Sequence, residues 1–246
     1  MPDFSFLLTT HFAIAAGVGF IGAILRGFSG FGANLIIAPV YAVLFGPVEA
    51  VQLVVIISFV SAWHLLVPAA KVVDWREITP MIIAAVALTP FGVWALLATH
   101  PEFVRRAIGA FVLLAALVLM SGWTYRGPRG LVVRSVVGGL GGFITGFASI
   151  GGPVPVLYFM SAPGEVRVQR ANNLVSVAVF APITLVFFVI SGTLGWETVF
   201  RALVLAIPYM VGLSAGARLF MVAPAKAFRW IVLVILAAIG VGALVF

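Results

Sequence analysis

The stretch RGFSGFGANLIIAP (residues 26–39) sets an arginine, a serine, an asparagine and three glycines between two segments that are otherwise apolar. A second stretch, GFASIGGPVPVLYF (146–159), repeats the pattern: Gly27, Phe28 and Gly32 meet Gly146, Phe147 and Gly151 at an offset of 119 residues. Each cluster is followed by a short apolar run, 32–46 in the first case and 153–162 in the second. What these two breaks mean depends on the solvent of the chain.

That solvent is lipid. Of 246 residues, 63% are hydrophobic and 9% charged, with a mean hydropathy of +1.25. An ordinary soluble domain has roughly 25% charged residues, so this chain cannot cover a surface with polar groups. Ten apolar runs follow one another, at 4–26, 32–46, 49–70, 77–98, 103–122, 131–148, 153–162, 169–191, 198–220 and 226–246. Spanning the hydrocarbon core takes roughly 20 helical residues, and the run 153–162 reaches about half that far at 1.5 Å per residue. The N-terminal MPDFSFLLTTHF has no basic region ahead of its apolar run, so it reads as the start of the first span and not as a removed signal peptide.

The net charge of +7 is a topology signal, not a nucleic-acid signal. Folding the chain once per run puts Arg26, Lys71, Arg76, Arg126, Arg129, Arg134, Arg167, Arg170, Arg218, Lys226 and Arg229 on one side. Only Arg105, Arg106 and Arg201 fall on the other. The Lys/Arg-rich side is expected to be cytoplasmic and both termini extracytoplasmic, in a bacterial inner membrane. With no cysteine, disulfides and thiolate metal sites are excluded, and no cofactor or metal site is read from the chain.

The halves match beyond the glycine clusters. EAVQLV (49–54) lies on RANNLV (170–175), and Trp75 on Trp196, both at an offset of 121. The expected fold is therefore an all-α polytopic membrane protein built from two repeats of five runs each. Residues 1–123 form the first repeat, 124–130 a basic linker and 131–246 the second. An odd number of runs inverts the second copy in the bilayer, the plan of many secondary transporters. The short runs would be half-helices, either re-entrant or broken spans.

Irregular backbone at membrane depth is tolerated only where protein or water satisfies it. A glycine-interrupted short segment in both halves is the best sequence pointer to a binding site. Half-helix N-termini suit an anion, and glycine lets a ligand approach the backbone. The candidate substrate-binding residues are Ser29, Gly30, Phe31, Gly32 and Asn34 at the first break and Thr145, Phe147, Ser149, Gly151 and Gly152 at the second. Gln52, Arg170 and Asn173 join them from the following runs. Against this stands packing: Gly138, Gly142 and Gly146 have the spacing of a plain helix–helix contact face.

A glycine–phenylalanine motif, then a short apolar run with a proline, duplicated in about ten runs, resembles the sulfite exporter family TauE/SafE. The likeness covers residues from about 10 to 245. It implies a secondary permease, not an enzyme, that exports a small sulfur oxyanion or organosulfonate such as sulfite or sulfoacetate. The chain also lacks a GxxxxGK[ST] phosphate-binding motif. The second motif departs from the first, with Ala148-Ser149 where the first has Ser29-Gly30.

Ionisable residues inside the membrane are functional candidates by default. Arg26, beside the first break, can supply charge to an anion or snorkel to the headgroups. The cluster of Arg170, Asn172 and Asn173 ranks above it. His64, inside the third run, has a side chain suited to proton coupling, or to a plain interhelical hydrogen bond. An anion channel, or a permease for another carboxylate or oxyanion, is the closest alternative. An intramembrane serine protease using Ser29 and His64 is a more distant one, because GFSG is a short match and the second half has no histidine. The expected partners are the anion and the bilayer, and a homo-oligomer is compatible with the sequence.

Overall fold

A computed structural model of the chain describes residues 9–160, 162 and 164–219, with the side chains of Ser29, His64, Leu65 and Pro68 outside the description. Among these residues the regular structure is all helical: α1 (Thr10–Ser29), α2 (Ala33–Phe45), α3 (Pro47–Ala69), α4 (Trp75–Ala98), α5 (Pro101–Ser121), α6 (Leu131–Ala148), α7 (Pro153–Phe159), α8 (Val166–Ile190) and α9 (Trp196–Leu219). Each of the first nine apolar runs carries one helix. The tenth, 226–246, lies outside the described residues, as does the C-terminus. Six helices, α1, α4, α5, α6, α8 and α9, are long and apolar enough to cross a membrane.

The glycine cluster makes the chain double back after α1. Gly30 takes the left-handed conformation (φ +83°) and its N–H closes α1 on the Arg26 carbonyl. Gly32 is also left-handed (φ +93°) and starts α2. Only glycine adopts both without a Cβ clash. α2 then runs back along α1, and the Tyr41 hydroxyl donates to the Ala15 carbonyl at 2.9 Å.

The second break makes the same turn with different chemistry. Ser149, at the position matching Gly30, is the one left-handed non-glycine among the described residues (φ +57°). α7 runs back toward the start of α6, where the Tyr158 hydroxyl donates to Glu77 Oε1 at 2.6 Å. The other oxygen of Glu77 pairs with Arg134 at 2.7 Å. The Arg129 guanidinium stands 4.6 Å over the Tyr158 ring. These contacts bind the end of α7 to α4, α6 and the 124–130 linker, so that side is called the linker face. On the opposite face Arg201 pairs with Glu49 at 2.7 Å.

α3 and α8 cross at the centre of the molecule. Every residue of α3 from Ala50 to Ile57 is buried. Around this pair, α4 lies along α6 and α1 along α9. Gly138, Gly142 and Gly146 allow the first of these contacts: a Cβ on Gly142 would stand 2.7 Å from Ala85 Cα. Gly212 and Gly216 do the same against Phe20 and Ile24 of α1. For these glycines the packing role is the one the structure supports. Trp94, Ile83, Phe91, Leu114 and Ile207 project outward and exposed. Such an apolar exterior suits acyl chains and not water.

Candidate functional site: a polar cavity between the two breaks

The two breaks meet. A cavity of about 50 Å³ lies between them, lined by Arg26 and Gly30–Leu35 from the first break and by Thr145, Ser149, Ile150, Gly152 and Pro153 from the second. α3 contributes Val55 and Ser58, and α8 contributes Val177, Ala178 and Ala181. Neither α2 nor α7 has a side-chain cap at its N-terminus. Gly32 and Ala33, where α2 begins, line the cavity, which sets the positive end of the helix beside it.

Arg26 is the charge of the site. It is 9% exposed and its Nη1 donates to Ser61 Oγ at 3.3 Å and to the Tyr209 hydroxyl at 3.1 Å. Both partners are neutral. Among the described residues no carboxylate lies within ion-pair distance of it. A guanidinium has five N–H donors in a fixed fork, and two bonds on one nitrogen leave the fork under-used. A buried cation without a counter-ion costs several kcal/mol, roughly 3 kcal/mol even on the lenient insertion scale for a bilayer centre.

Asn34 ties the breaks together. Its Nδ2 donates to the Ser149 carbonyl at 2.8 Å and sits 3.3 Å from Ser58 Oγ. The first bond occupies a carbonyl at the end of α6 that would otherwise repel an anion. Ser149 Oγ is buried and has no hydrogen-bond partner. Ser149 thus combines a strained backbone with an orphaned hydroxyl, both of which cost stability. Thr145 has no such freedom, because its hydroxyl donates to the Gly141 carbonyl at 2.7 Å.

Not every sequence candidate comes to this cavity. Gly30, Phe31, Gly32, Asn34, Thr145, Ser149 and Gly152 line it. Phe147 lies apart and stacks on Phe143 with ring centroids 6.3 Å apart. At Gly151 a Cβ would run into the Gly141 carbonyl, so this glycine serves the contact between α7 and α6. Gln52 is buried toward the opposite face and donates to the Thr193 carbonyl at 3.2 Å. Arg170 and Asn173 line a second cavity. Asn172 accepts from the Asp74 backbone N–H at 2.8 Å and so fastens α8 to the α3–α4 turn. The side chains of Ser29 and His64 lie outside the described residues, so their pairing as nucleophile and base is not described.

A family model described as sulfite exporter TauE/SafE matches residues 15–243 of the chain. The chain belongs to the sulfite exporter TauE/SafE family. Among curated proteins and among solved structures, nothing matches it significantly. Membership in TauE/SafE together with six membrane-length helices makes it a multi-pass membrane protein of a transporter family.

Two residues of the TauE/SafE cavity had weak signals in the sequence. Arg26 stands one helical turn before Gly30, where a terminal snorkelling residue and a buried site residue look alike. What separates them is that α2 folds back along α1 and encloses the end of α1. Ser58 hides in the apolar third run. Its one signal is Ser61, three residues on and so on the same helix face. Ser61 Oγ in turn accepts from Arg26.

Proposed function

We propose that this TauE/SafE protein exports a small sulfur-containing oxyanion, sulfite or an organosulfonate such as sulfoacetate, and that the cavity between the breaks holds it. The observation that carries the reading is Arg26, a buried guanidinium with neutral partners and, among the described residues, no carboxylate. An oxyanion supplies the missing counter-charge and accepts a forked pair of N–H bonds. Ser149 Oγ supplies a third donor and the N-terminus of α2 a dipole of the right sign. The family description favours sulfite as the substrate, and the direction of transport comes from that description alone.

The repeat plan is part of the proposal. α1, α2, α3 and α4 correspond to α6, α7, α8 and α9 at offsets close to 120 residues. The packing of α1 on α9 mirrors that of α6 on α4, and the central pair α3 and α8 is its own mirror. These relations support two inverted repeats, 1–123 and 131–246 around the linker 124–130, with α1–α2 and α6–α7 as re-entrant hairpins. Hairpins leave the sidedness of the loops unchanged and move Arg26 from the basic face into the interior. Ten Lys/Arg then face three across the bilayer, so the linker face is assigned to the cytoplasm of an inner membrane and both termini to the outside. Rocking of one repeat against the other would expose the cavity to each side in turn.

The test is thermal stability of the purified protein against sulfite, sulfoacetate, sulfate, lactate, phosphate and chloride. A ligand at about 100 times its Kd stabilises a single-site protein by about 2.7 kcal/mol. Sulfite or a sulfonate is expected to raise the melting temperature of the wild type and not that of Arg26→Gln. An unshifted wild type across the whole panel would overturn the anion reading.

A further inference from the structure

A second cavity, of about 360 Å³, opens beside the first at the linker face. It is built by the end of α7 (Val156, Phe159, Met160), the α7–α8 turn and the first turns of α8. Among the described residues lining it, Arg170 is the only charged one, and it is exposed. Asn173, one turn beyond on the α8 surface, carries a buried side-chain oxygen with no partner. α7 has 7 residues where its counterpart α2 has 13, and the cavity occupies the space beyond the end of the shorter helix.

One residue lines both cavities: Phe31, between the left-handed Gly30 and Gly32. It belongs to the first break, whereas every other wall of the outer cavity comes from α7, α8 and the turn between them. Ile150, which matches Phe31 in the second break, is buried and lines the central cavity.

We propose that the outer cavity is an anion-collecting vestibule and that Phe31 is the partition between it and the central cavity, so that Arg170 and Phe31 select what reaches Arg26. The substrate class is the same small oxyanion, so the inference rests on the anion reading of the central cavity. The physical division of labour is plain. Arg170 is solvated and exchanges ligands quickly, because an exposed cation holds an anion weakly and screenably. Arg26 is desolvated and holds it firmly. An aromatic partition excludes bulk water and its ions from the inner site until it moves. Asn173 offers an amide beside the guanidinium, so the vestibule is polar along the path and apolar at its end.

The absence of cysteine makes the test direct. Asn173→Cys reports the vestibule and Ser58→Cys the central cavity. Both are labelled in membrane vesicles that expose the linker face, using two methanethiosulfonates of similar size, one carrying a sulfonate and one a trimethylammonium. The sulfonate reagent is expected to label Asn173→Cys about tenfold faster than the cationic one at low salt, and Arg170→Gln is expected to bring the two rates together. Ser58→Cys is expected to react at least about tenfold more slowly than Asn173→Cys, and Phe31→Ala to remove most of that difference. Rates at Asn173→Cys that ignore reagent charge would overturn the vestibule. A Ser58→Cys rate indifferent to Phe31→Ala would overturn the partition. If Phe31→Ala does not yield a monodisperse protein, Phe31→Leu gives the same comparison with a smaller change in volume. The labelling rates need no knowledge of the substrate. Loss of the melting shift with normal labelling would sink the anion site and leave the route standing, and the converse result would do the opposite.

Discussion

The two breaks make the same turn by different means. The first is all glycine where the backbone is left-handed, with Gly30 and Gly32 at φ +83° and +93°, and its strongest polar group is the buried guanidinium of Arg26. The second has no left-handed glycine at the turn: Ser149 takes the strained conformation, and Gly152, which starts α7, is ordinary right-handed helix at φ −55°. One break is conformationally relaxed and electrostatically costly. The other is electrostatically neutral and conformationally costly. On the proposed reading, the difference teaches how two similar turns build one asymmetric site. A single cation suffices for a small anion, and a second guanidinium would double the desolvation cost. The second break is then free to contribute a hydroxyl instead.

The comparison breaks most severely if the bond between the copies is removed. Asn34→Leu deletes the donor to the Ser149 carbonyl and leaves that oxygen buried and unpaired. The expected loss is about 2 kcal/mol of stability, with the anion-induced melting shift abolished. A variant that keeps the shift would show that the breaks act independently.

Ser149 sharpens it further. Ser149→Ala and Ser149→Gly both remove the orphaned hydroxyl, so both are expected to weaken anion binding to the same degree. They differ in backbone cost, because left-handed alanine pays about 1–2 kcal/mol that glycine does not, less the extra unfolded-state freedom of glycine. The glycine variant should therefore be the more stable by about 1 kcal/mol in thermal melts. Equal stability would mean that Ser149 carries no strain.

The smallest effect separates the two helix starts. Gly32→Ala puts a Cβ on a left-handed residue and is expected to cost about 1 kcal/mol. Gly152→Ala puts one where the nearest atom stands 3.7 Å away and should change stability by less than about 0.5 kcal/mol. A reversed order in the melts would undo the assignment of the left-handed helix start to the first break.

Much of this was legible in the chain. The boundaries of nine helices follow from apolar runs and from the glycines, aspartates and prolines that end them. Asp74, for example, caps α4 by accepting from the Arg76 N–H. The duplicated motif suggested that the two breaks face each other; the bond from Asn34 to the Ser149 carbonyl was not legible. Nor was the work of other residues. Gln52 and Asn173 occupy matching positions in the two halves, yet one holds the α8–α9 turn and the other lines the second cavity. Polar residues of similar spacing acquire different work because α2 is nearly twice as long as α7, and a repeat detected in sequence says nothing of such differences in fill.

The sequence by itself determined the solvent of this protein, its helices and the two points where the chain breaks, because hydropathy and backbone permissiveness are local properties. Tertiary structure decided which polar groups share a cavity and which buried cation has only neutral partners among the described residues. Whether Arg26 snorkels or is entombed depends on α2 folding back over α1 and on Tyr209 and Ser61 closing from α9 and α3. Burial is a property of everything that packs against a residue, and the residues that bury Arg26 come from three separate stretches of the chain.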